Sequence, residues 1–574
     1  MKLIWQYVKP SAGIMYFGLA IKFFGTMTEL MLPYILSHII DNIVPLGSVS
    51  MIIKWGIVML IISAATLLLN TWANRISVKV ARDATLYLRN DLFEKTMYLS
   101  GTQTDKFTIP SLESRITSDT YNFYQFIGNV LRMGVRAPIM LIGGIIISLT
   151  LDPMLTLVMV AILPFVGLSV LFISKKGIPL YRKVQISLDS MIRIVREDTQ
   201  GIRVIKALSK TDYESNRYDK SNATLSLEEK RAGITMAATN PLMTLFMNIG
   251  LAAVIMFGAL RVNTGNTQPG IIIAFMQYFT LISMAMMGIT KIFVRYTKAA
   301  ASSDRMAEVL NTVDDLPLYD KKDFPPIETD SHILFSNVCF SYNKAKNNLT
   351  DINIEIEKGQ SLGIIGSTGS GKSSIIRLLM RIYDSDSGNI YINGQNVRTI
   401  EKEKLHTMFG VVLQNDFVFS DTVEENIKFG RDLTDEEVRK GAEYAQAKEF
   451  IEEFDDNYKH HITSKGTNLS GGQRQRILLA RAMAKQPEIL IFDDSSSALD
   501  YKTDANLRSA VKNNYKNVTS IIIAQRVSSI MSCNKIIVID EGKIIGQGTH
   551  NSLLLDCDVY REISNSQLGG AILE

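Results

Sequence analysis

Six apolar stretches before residue 300 constrain this chain more than any other feature. They run over about 13–40, 51–73, 127–150, 153–174, 238–261 and 270–294. Each is near the roughly 20 residues an α-helix needs to cross hydrocarbon. Six in a row, with few interior charges, argue against buried helices of a soluble domain. A multi-pass membrane bundle is therefore expected. The connections alternate in character. "DNIVPLGSVS" (41–50) has no Lys or Arg, the turn at Asp152-Pro153 is very short, and 262–269 is polar without Lys or Arg. The other two, about 74–126 and 175–237, are long and basic, and carry Arg75, Lys79 and Arg82, then Lys175, Lys176 and Arg182 among others. The excess of Lys and Arg places both long loops and both termini in the cytoplasm. The opening "MKLIWQYVKP" is polar and amphipathic, unlike a cleavable signal peptide.

A chain of 574 residues is too long for one core, so a second domain is expected. Apolar residues make up 47% and mean hydropathy is +0.11, high for a soluble protein. The net charge of +4 gives no case for a nucleic-acid partner. Cys339, Cys533 and Cys557 are scattered without CxxC spacing and read as reduced packing thiols. Around residues 311–330 the sequence turns acidic and Pro-rich, in "DDLPLYDKKDFPPIETDSH", which reads as a linker. Residues 1–310 are then the membrane domain. Residues 331–574, with β-branched runs, glycines and alternating helices, form a soluble α/β domain.

The strand-like "SLGIIG" leads into "GSTGSGKSS": Gly366, Ser367, Thr368, Gly369, Ser370, Gly371, Lys372, Ser373 and Ser374. Helical "IIRLLMRIY" follows. Glycines let backbone N–H groups curl around phosphate oxygens, and a helix N-terminus favours their charge. Lys372 would reach the β- and γ-phosphates of ATP, and Ser373 would ligate Mg²⁺. The strand "ILIFD" supplies Asp493 as the partner of that metal. Between them, in "NLSGGQRQRILLARAM", Ser470, Gly471, Gly472 and Gln473 open a helix and make a second anion site. One nucleotide does not need two such sites from one chain. A head-to-tail dimer uses both, with each chain's Ser-Gly-Gly facing the other chain's P-loop.

With these motifs in this order, the chain resembles one half of an ABC transporter of the six-helix (type IV) exporter class, essentially over its whole length. The implied fold is a membrane α-helical bundle fused to an α/β P-loop ABC nucleotide-binding domain. The resemblance implies further roles. Tyr342, in "CFSY", would stack on adenine. Gln414, in "VVLQND", would sense Mg²⁺ and the attacking water. Ser497 to Asp500, "SALD", would communicate across the dimer, with Asp500 at the nucleotide interface. The elbows near 104–112 and 212–220 would be coupling helices. "GIRVIKALSK" (201–210) and "EGKIIGQGTH" (541–550) also fit.

Two positions depart from the competent pattern. Where the family places a glutamate as general base, this chain has Asp494. Its carboxylate is withdrawn by roughly 1 Å, a misplacement that can cost on the order of 10²-fold. Where the family places a switch histidine, "IIIAQRVSSI" has Gln525, whose amide cannot carry an imidazolium charge. Both changes in one site, beside an intact signature, resemble the degenerate half of bacterial heterodimeric multidrug exporters. The implied partner is a second exporter half with Glu and His intact, in a bacterial plasma membrane. This chain's ATP site would then be the slow one of the pair.

Met- and aromatic-rich "PLMTLFMN" (241–248) and "FMQYFTLISMAMMG" (275–288) suit varied small amphiphilic ligands. Lys22 and Glu29 sit inside the first span, where an ionisable residue is costly and therefore a functional candidate. Glu29 meets a cationic drug or pairs with another helix; Asp41 is a gate or a helix end. Lipid, peptide or a native metabolite is the alternative cargo, and a mainly regulatory ATP-binding subunit is the third reading. The spans exclude a soluble ATPase, and their fusion to the ATP-binding half disfavours import.

Overall fold

The computed structural model describes residues 2–414, 416–495 and 498–568. The chain separates into two compact units: residues 1–98 with 110–312, and residues 99–109 with 313–574.

The first unit is helical. Its longer helices are α1 (Ala12–His38), α2 (Val49–Met97), α4 (Val135–Leu151), α5 (Pro153–Ala207), α6 (Thr211–Ala237), α7 (Thr239–Asn263) and α8 (Pro269–Leu310). A further helix between α2 and α4, α3 (Gly101–Phe107), belongs to the second unit. Among the described residues, six helical segments are long and apolar enough to cross a membrane. They contain the first five apolar stretches and residues 270–289 of the sixth, and the protein is a multi-pass membrane protein. At 55 residues α5 is about 80 Å long at 1.5 Å per residue, more than twice the thickness of the hydrocarbon. The basic loops are thus continuations of spanning helices.

In lipid, helices associate through close packing and polar contacts rather than hydrophobic exclusion. Gly250 on α7 shows the first. A Cβ there would lie 2.6 Å from Phe279 and 2.9 Å from Ile162. Leu155, Met159, Val254, Phe275, Phe279 and Ile282 fill the same core. Phe275, Tyr278 and Phe279 are therefore packing residues, and Tyr278 donates to the Leu30 carbonyl at 2.7 Å. Met284 and Leu245 remain exposed. Other polar contacts sit at the turns. Asp152 caps α5 through Met154 N and Leu155 N and takes Arg261 Nε at 2.9 Å. Asp41 accepts from Gly270 N at 2.6 Å, which makes it the cap of α8, a helix end.

The second unit holds two sheets. Strands β1 (Ser331–Phe340), β2 (Leu349–Glu357), β4 (Ser387–Ile392) and β5 (Gln395–Asn396) form one, in the order β2-β1-β4-β5. The other contains β3 (Ser361–Gly366), β6 (Phe409–Val412), β7 (Ile489–Asp493), β8 (Thr519–Ile523), β9 (Lys535–Asp540) and β10 (Lys543–Gly548), in the order β10-β9-β3-β8-β7-β6. Strands β9, β3, β8, β7 and β6 are parallel, and β10 is antiparallel to β9. A parallel strand needs cover on both faces, which explains why every residue of "ILIFD" is buried. Helix α9 (Lys372–Leu379) packs Ile375, Ile376 and Leu379 into the core between the sheets. Helix α10 (Gly471–Met483) belongs to a separate helical cluster with Val423, Ile427, Val438 and Phe450. Helix α11 (Tyr501–Asn514) follows β7.

The acidic, Pro-rich stretch is pinned to this unit. Arg381 donates to Pro317 O at 2.6 Å, Tyr319 N to Arg398 O at 3.1 Å, and Ile327 N to Gly394 O at 2.9 Å. Helix α3 is held as firmly. Ser100 and Gln103 form its capping box. Gly101 N donates to Ile382 O at 3.2 Å, Gln103 Nε2 to Val313 O at 2.7 Å, and Tyr383 Oη to Asp105 Oδ2 at 2.7 Å.

Candidate functional site

Open parallel sheets present their functional groups beyond the C-terminal ends of the strands. In the parallel sheet β8 lies between β3 and β7, with Ile523 level with both Ile364 and Asp493. That register places the loop after Gly366, the Asp493-Asp494 pair and Gln525 at one edge. On the neighbouring strand Val412 is level with Phe492, so exposed Gln414 belongs to the same edge.

The P-loop is tightly wound. Gly369 and Gly371 have φ of +83° and +104°, a region that favours glycine. A Cβ on Gly366 would lie 2.0 Å from Ile539 O. Ser367 Oγ bonds Asp540 at 3.1 Å, and Gly542 N bonds Ser370 O at 3.1 Å. Lys372 Nζ donates to Gly366 O at 2.9 Å and Ser367 O at 2.7 Å. Burial lowers the Lys372 pKa, against the pull of Asp493 and Asp494. Asp493 is 4% exposed. Burial raises its pKa, opposed by a hydrogen bond from Ser373 and reinforced by the charge of Asp494. A hydroxyl and a carboxylate side by side are hard oxygen donors, the type that Mg²⁺ takes in small number beside substrate phosphates. Among the described residues no group of three or more His, Cys, Asp and Glu side chains stands ready for a metal.

Asp494 adopts φ +52°, which Asp tolerates better than most residues. Its backbone N–H bonds Ile523 O at 2.9 Å, and Gln525 Nε2 donates to its Oδ2 at 2.9 Å. Burial raises the Asp494 pKa, while Gln525, Lys372 and Arg526 oppose the rise. The two departures from the competent pattern thus touch each other. Gln567, which sequence reasoning did not single out, holds the loop after β8: it donates to Gln525 O and accepts from Val527 N, each at 2.8 Å.

Tyr342 lies over the end of the P-loop. Its hydroxyl is 3.0 Å from Ser374 Oγ and accepts from Arg377 at 3.1 Å. Its ring meets Phe340 and Tyr383 edge-on, with centroids 4.7 and 5.1 Å away. Arg377 and Tyr383 were also missed. The signal available was an arginine and an aromatic in "IIRLLMRIY", on and just past the helix that the P-loop opens.

The remaining predicted residues stand apart. Ser470 caps α10 in a box with Gln473, through Gln473 N to Ser470 Oγ at 3.2 Å and Ser470 N to Gln473 Oε1 at 2.9 Å. A Cβ on Gly471 would meet nothing within 4 Å, so this helix start is open. Among the described residues no hydrogen bond joins 470–473 to the P-loop. Asp500 caps α11 through Thr503 N and Oγ1 at 2.9 and 2.8 Å, and those bonds lower its pKa. Ser497 lies outside the described residues.

Comparison with known proteins agrees with this arrangement. Residues 15–286 match the family model of the ABC transporter transmembrane region, and residues 349–497 match the ABC transporter family model. An uncharacterized ABC transporter ATP-binding protein of Mycobacterium tuberculosis is 32% identical over 572 residues, covering 99% of this chain and 98% of that relative. YfiB, an uncharacterized ABC transporter ATP-binding protein of Bacillus subtilis, is also 32% identical, with 98% of each chain covered. The structure of a bacterial Atm1-family ABC exporter with ATP bound superposes with a TM-score of 0.81 at 23% identity, over 96% of this chain and 99% of that one. A bundle with six membrane-crossing segments, a P-loop and an Asp-ended strand at one sheet edge, and full-length relatives therefore make this chain a member of the ABC transporter family, an ATPase-coupled transporter with the exporter fold.

Proposed function

We propose that the chain is one half of a heterodimeric, ATP-driven exporter of amphiphilic compounds in a bacterial plasma membrane, with its termini and ATP-binding domain in the cytoplasm. The observation that carries the reading is the Gln525–Asp494 hydrogen bond of 2.9 Å. It ties up the short carboxylate at the position of the general base with an amide at the position of the switch histidine. Bound ATP supplies the phosphoanhydride chemistry and Mg²⁺ the charge neutralisation. Gly366 to Ser374 cradle the phosphates, with Lys372 as their point charge. Ser373, Asp493 and Gln414 would hold the metal, and Tyr342 would stack on the adenine. Asp494 holds a water-derived proton poorly at its shortened reach, so turnover here is slow. Ser470, Gly471, Gly472 and Gln473, with Asp500 beside them, complete the fast site on the partner's P-loop. The open, capped start of α10 supports that assignment. The test compares ATP turnover by the chain alone and with its partner half. Slow turnover alone and fast, drug-stimulated turnover together are expected. Fast turnover by the isolated homodimer overturns the unequal-site reading.

A further inference from the structure

The spanning segments hold more positive charge than they neutralise. Glu29 is the only acid among residues 12–38, 49–75, 120–151, 153–174, 239–263 and 269–294. It pairs with Arg136 at 2.6 Å. Lys22 lies within electrostatic range of both members of this pair and of Arg132, which precedes Arg136 by about one helical turn. Lys22 is 3% exposed. Its Nζ donates to Asn70 Oδ1 at 2.8 Å and Asn74 Oδ1 at 3.1 Å. Arg132 Nε donates to the Gly128 carbonyl at 2.9 Å. These acceptors are neutral, so they satisfy N–H groups without cancelling charge. The pair itself is incomplete: among the described residues, Glu29 Oε2 and Arg136 Nε are buried without a hydrogen-bond partner. Among the described residues, three cations thus share one carboxylate at membrane depth. Lys22 is ten residues into α1, about 15 Å along the axis. Arg136 is fifteen residues before the outer end of α4, about 22 Å along its axis.

Uncompensated charge at this depth is costly, and where it persists it marks a ligand path. We infer that Lys22, Arg132 and Arg136 form a recognition site for an anionic group, a carboxylate, phosphate or sulfonate, on an apolar carrier. The inference rests on the exporter reading and narrows its cargo: acidic amphiphiles fit and cationic ones do not. Glu29 is then the counter-ion that holds Arg136 in place, and it opposes anion binding rather than forming a cation site. The two roles predict opposite signs for one substitution.

The test uses the full-length chain with the half it assembles with, in nanodiscs of neutral phosphatidylcholine and without nucleotide. The probes are 11-(dansylamino)undecanoate and its trimethylammonium counterpart, read by dansyl fluorescence. The carboxylate probe is expected to bind about tenfold tighter than the ammonium probe, a difference that Coulomb attraction in a low-dielectric site readily supplies. Lys22→Gln and Arg132→Gln each reduce that preference, whereas Glu29→Gln raises affinity for the carboxylate. Equal binding of the two probes, or weaker carboxylate binding by Glu29→Gln, overturns the inference. Should Lys22→Gln fail to fold, Glu29→Gln still decides. Phosphatidylglycerol doped into the nanodisc separates the two sources of such an anion. Displacement of the probe from the wild type identifies a lipid headgroup; no displacement identifies a free amphiphile. Probe binding and ATP turnover are scored separately, so failure of the unequal-site reading leaves this result interpretable.

Discussion

At the scale of single residues, the pair Asp494–Gln525 is proposed to set the turnover of this ATP site. Asp494→Ala is expected to leave phosphate release by the assembled transporter within about twofold of wild type, since a base withdrawn by this distance already loses on the order of 10²-fold. Asp494→Glu combined with Gln525→His should raise turnover measurably. Asp494→Glu alone should do less, because Gln525 already occupies the carboxylate at 2.9 Å. A second residue gives a pH signature. His332 is buried, its Nδ1 lies 2.6 Å from Thr519 Oγ1, and burial lowers its pKa from 6.5. Below that value the unfolded chain binds a proton that the native imidazole refuses. Stability is therefore complete above pH 6.5 and falls as pH drops below it, at most about 1.4 kcal/mol per pH unit. Thermal unfolding between pH 8 and 5.5 should show a shallower acid limb in His332→Gln. Both departures at the ATP site were legible in sequence, one in "FDDSS" and one in "IAQRV". Their hydrogen bond was not, because it depends on β8 lying between β3 and β7, which no local pattern announces.

At the scale of elements, α3 is the piece whose position matters most. Its elbow was legible from turn-prone polar residues, near 104–112 against the observed Gly101–Phe107. Its docking was not, since Tyr383 and Asp105 are 278 residues apart. Tyr383 meets α3 by its hydroxyl and Tyr342 by its ring, and Tyr342 reaches the P-loop helix at Ser374. These contacts form a continuous packed line from the P-loop to α3. Tyr383→Phe is predicted to weaken substrate stimulation of ATP turnover while leaving ATP affinity within about twofold. A double-mutant cycle with Asp105→Asn should give a coupling of about 1 kcal/mol. No coupling would make the contact incidental. Gly101→Ala should be more severe, because its Cβ would lie 2.6 Å from the Tyr383 ring. The polar cap Asp41–Gly270 was equally illegible: an aspartate at a helix end carries no mark of the helix it caps.

At the scale of the whole molecule, the spans and the two-domain plan were the most legible features, because twenty-residue apolar runs admit few folds. The second half's sheet order was beyond reach of pattern, and with it the grouping of Gly366, Asp493 and Gln525. The assembly-level prediction concerns Gly471. Gly471→Asp puts a carboxylate at the open start of α10, where the partner's phosphates are proposed to sit. It should abolish most ATP turnover by the proposed heterodimer while ATP binding at this chain's own P-loop persists, measured by photo-crosslinking of labelled ATP to each subunit. Retained turnover would remove the trans role of the signature. One consequence of the discontinuous second unit concerns biosynthesis. Residues 99–109 are made 204 residues before residue 313, where the rest of their unit begins (313 − 109 = 204). At 5–20 residues per second the ribosome takes about 10–40 s to cover that gap. For that interval Leu99 and Phe107, buried in the finished protein, have no surface to cover them. The ATP-binding half thus recruits an element synthesised long before it, which leaves a window in which a chaperone or protease meets the nascent chain.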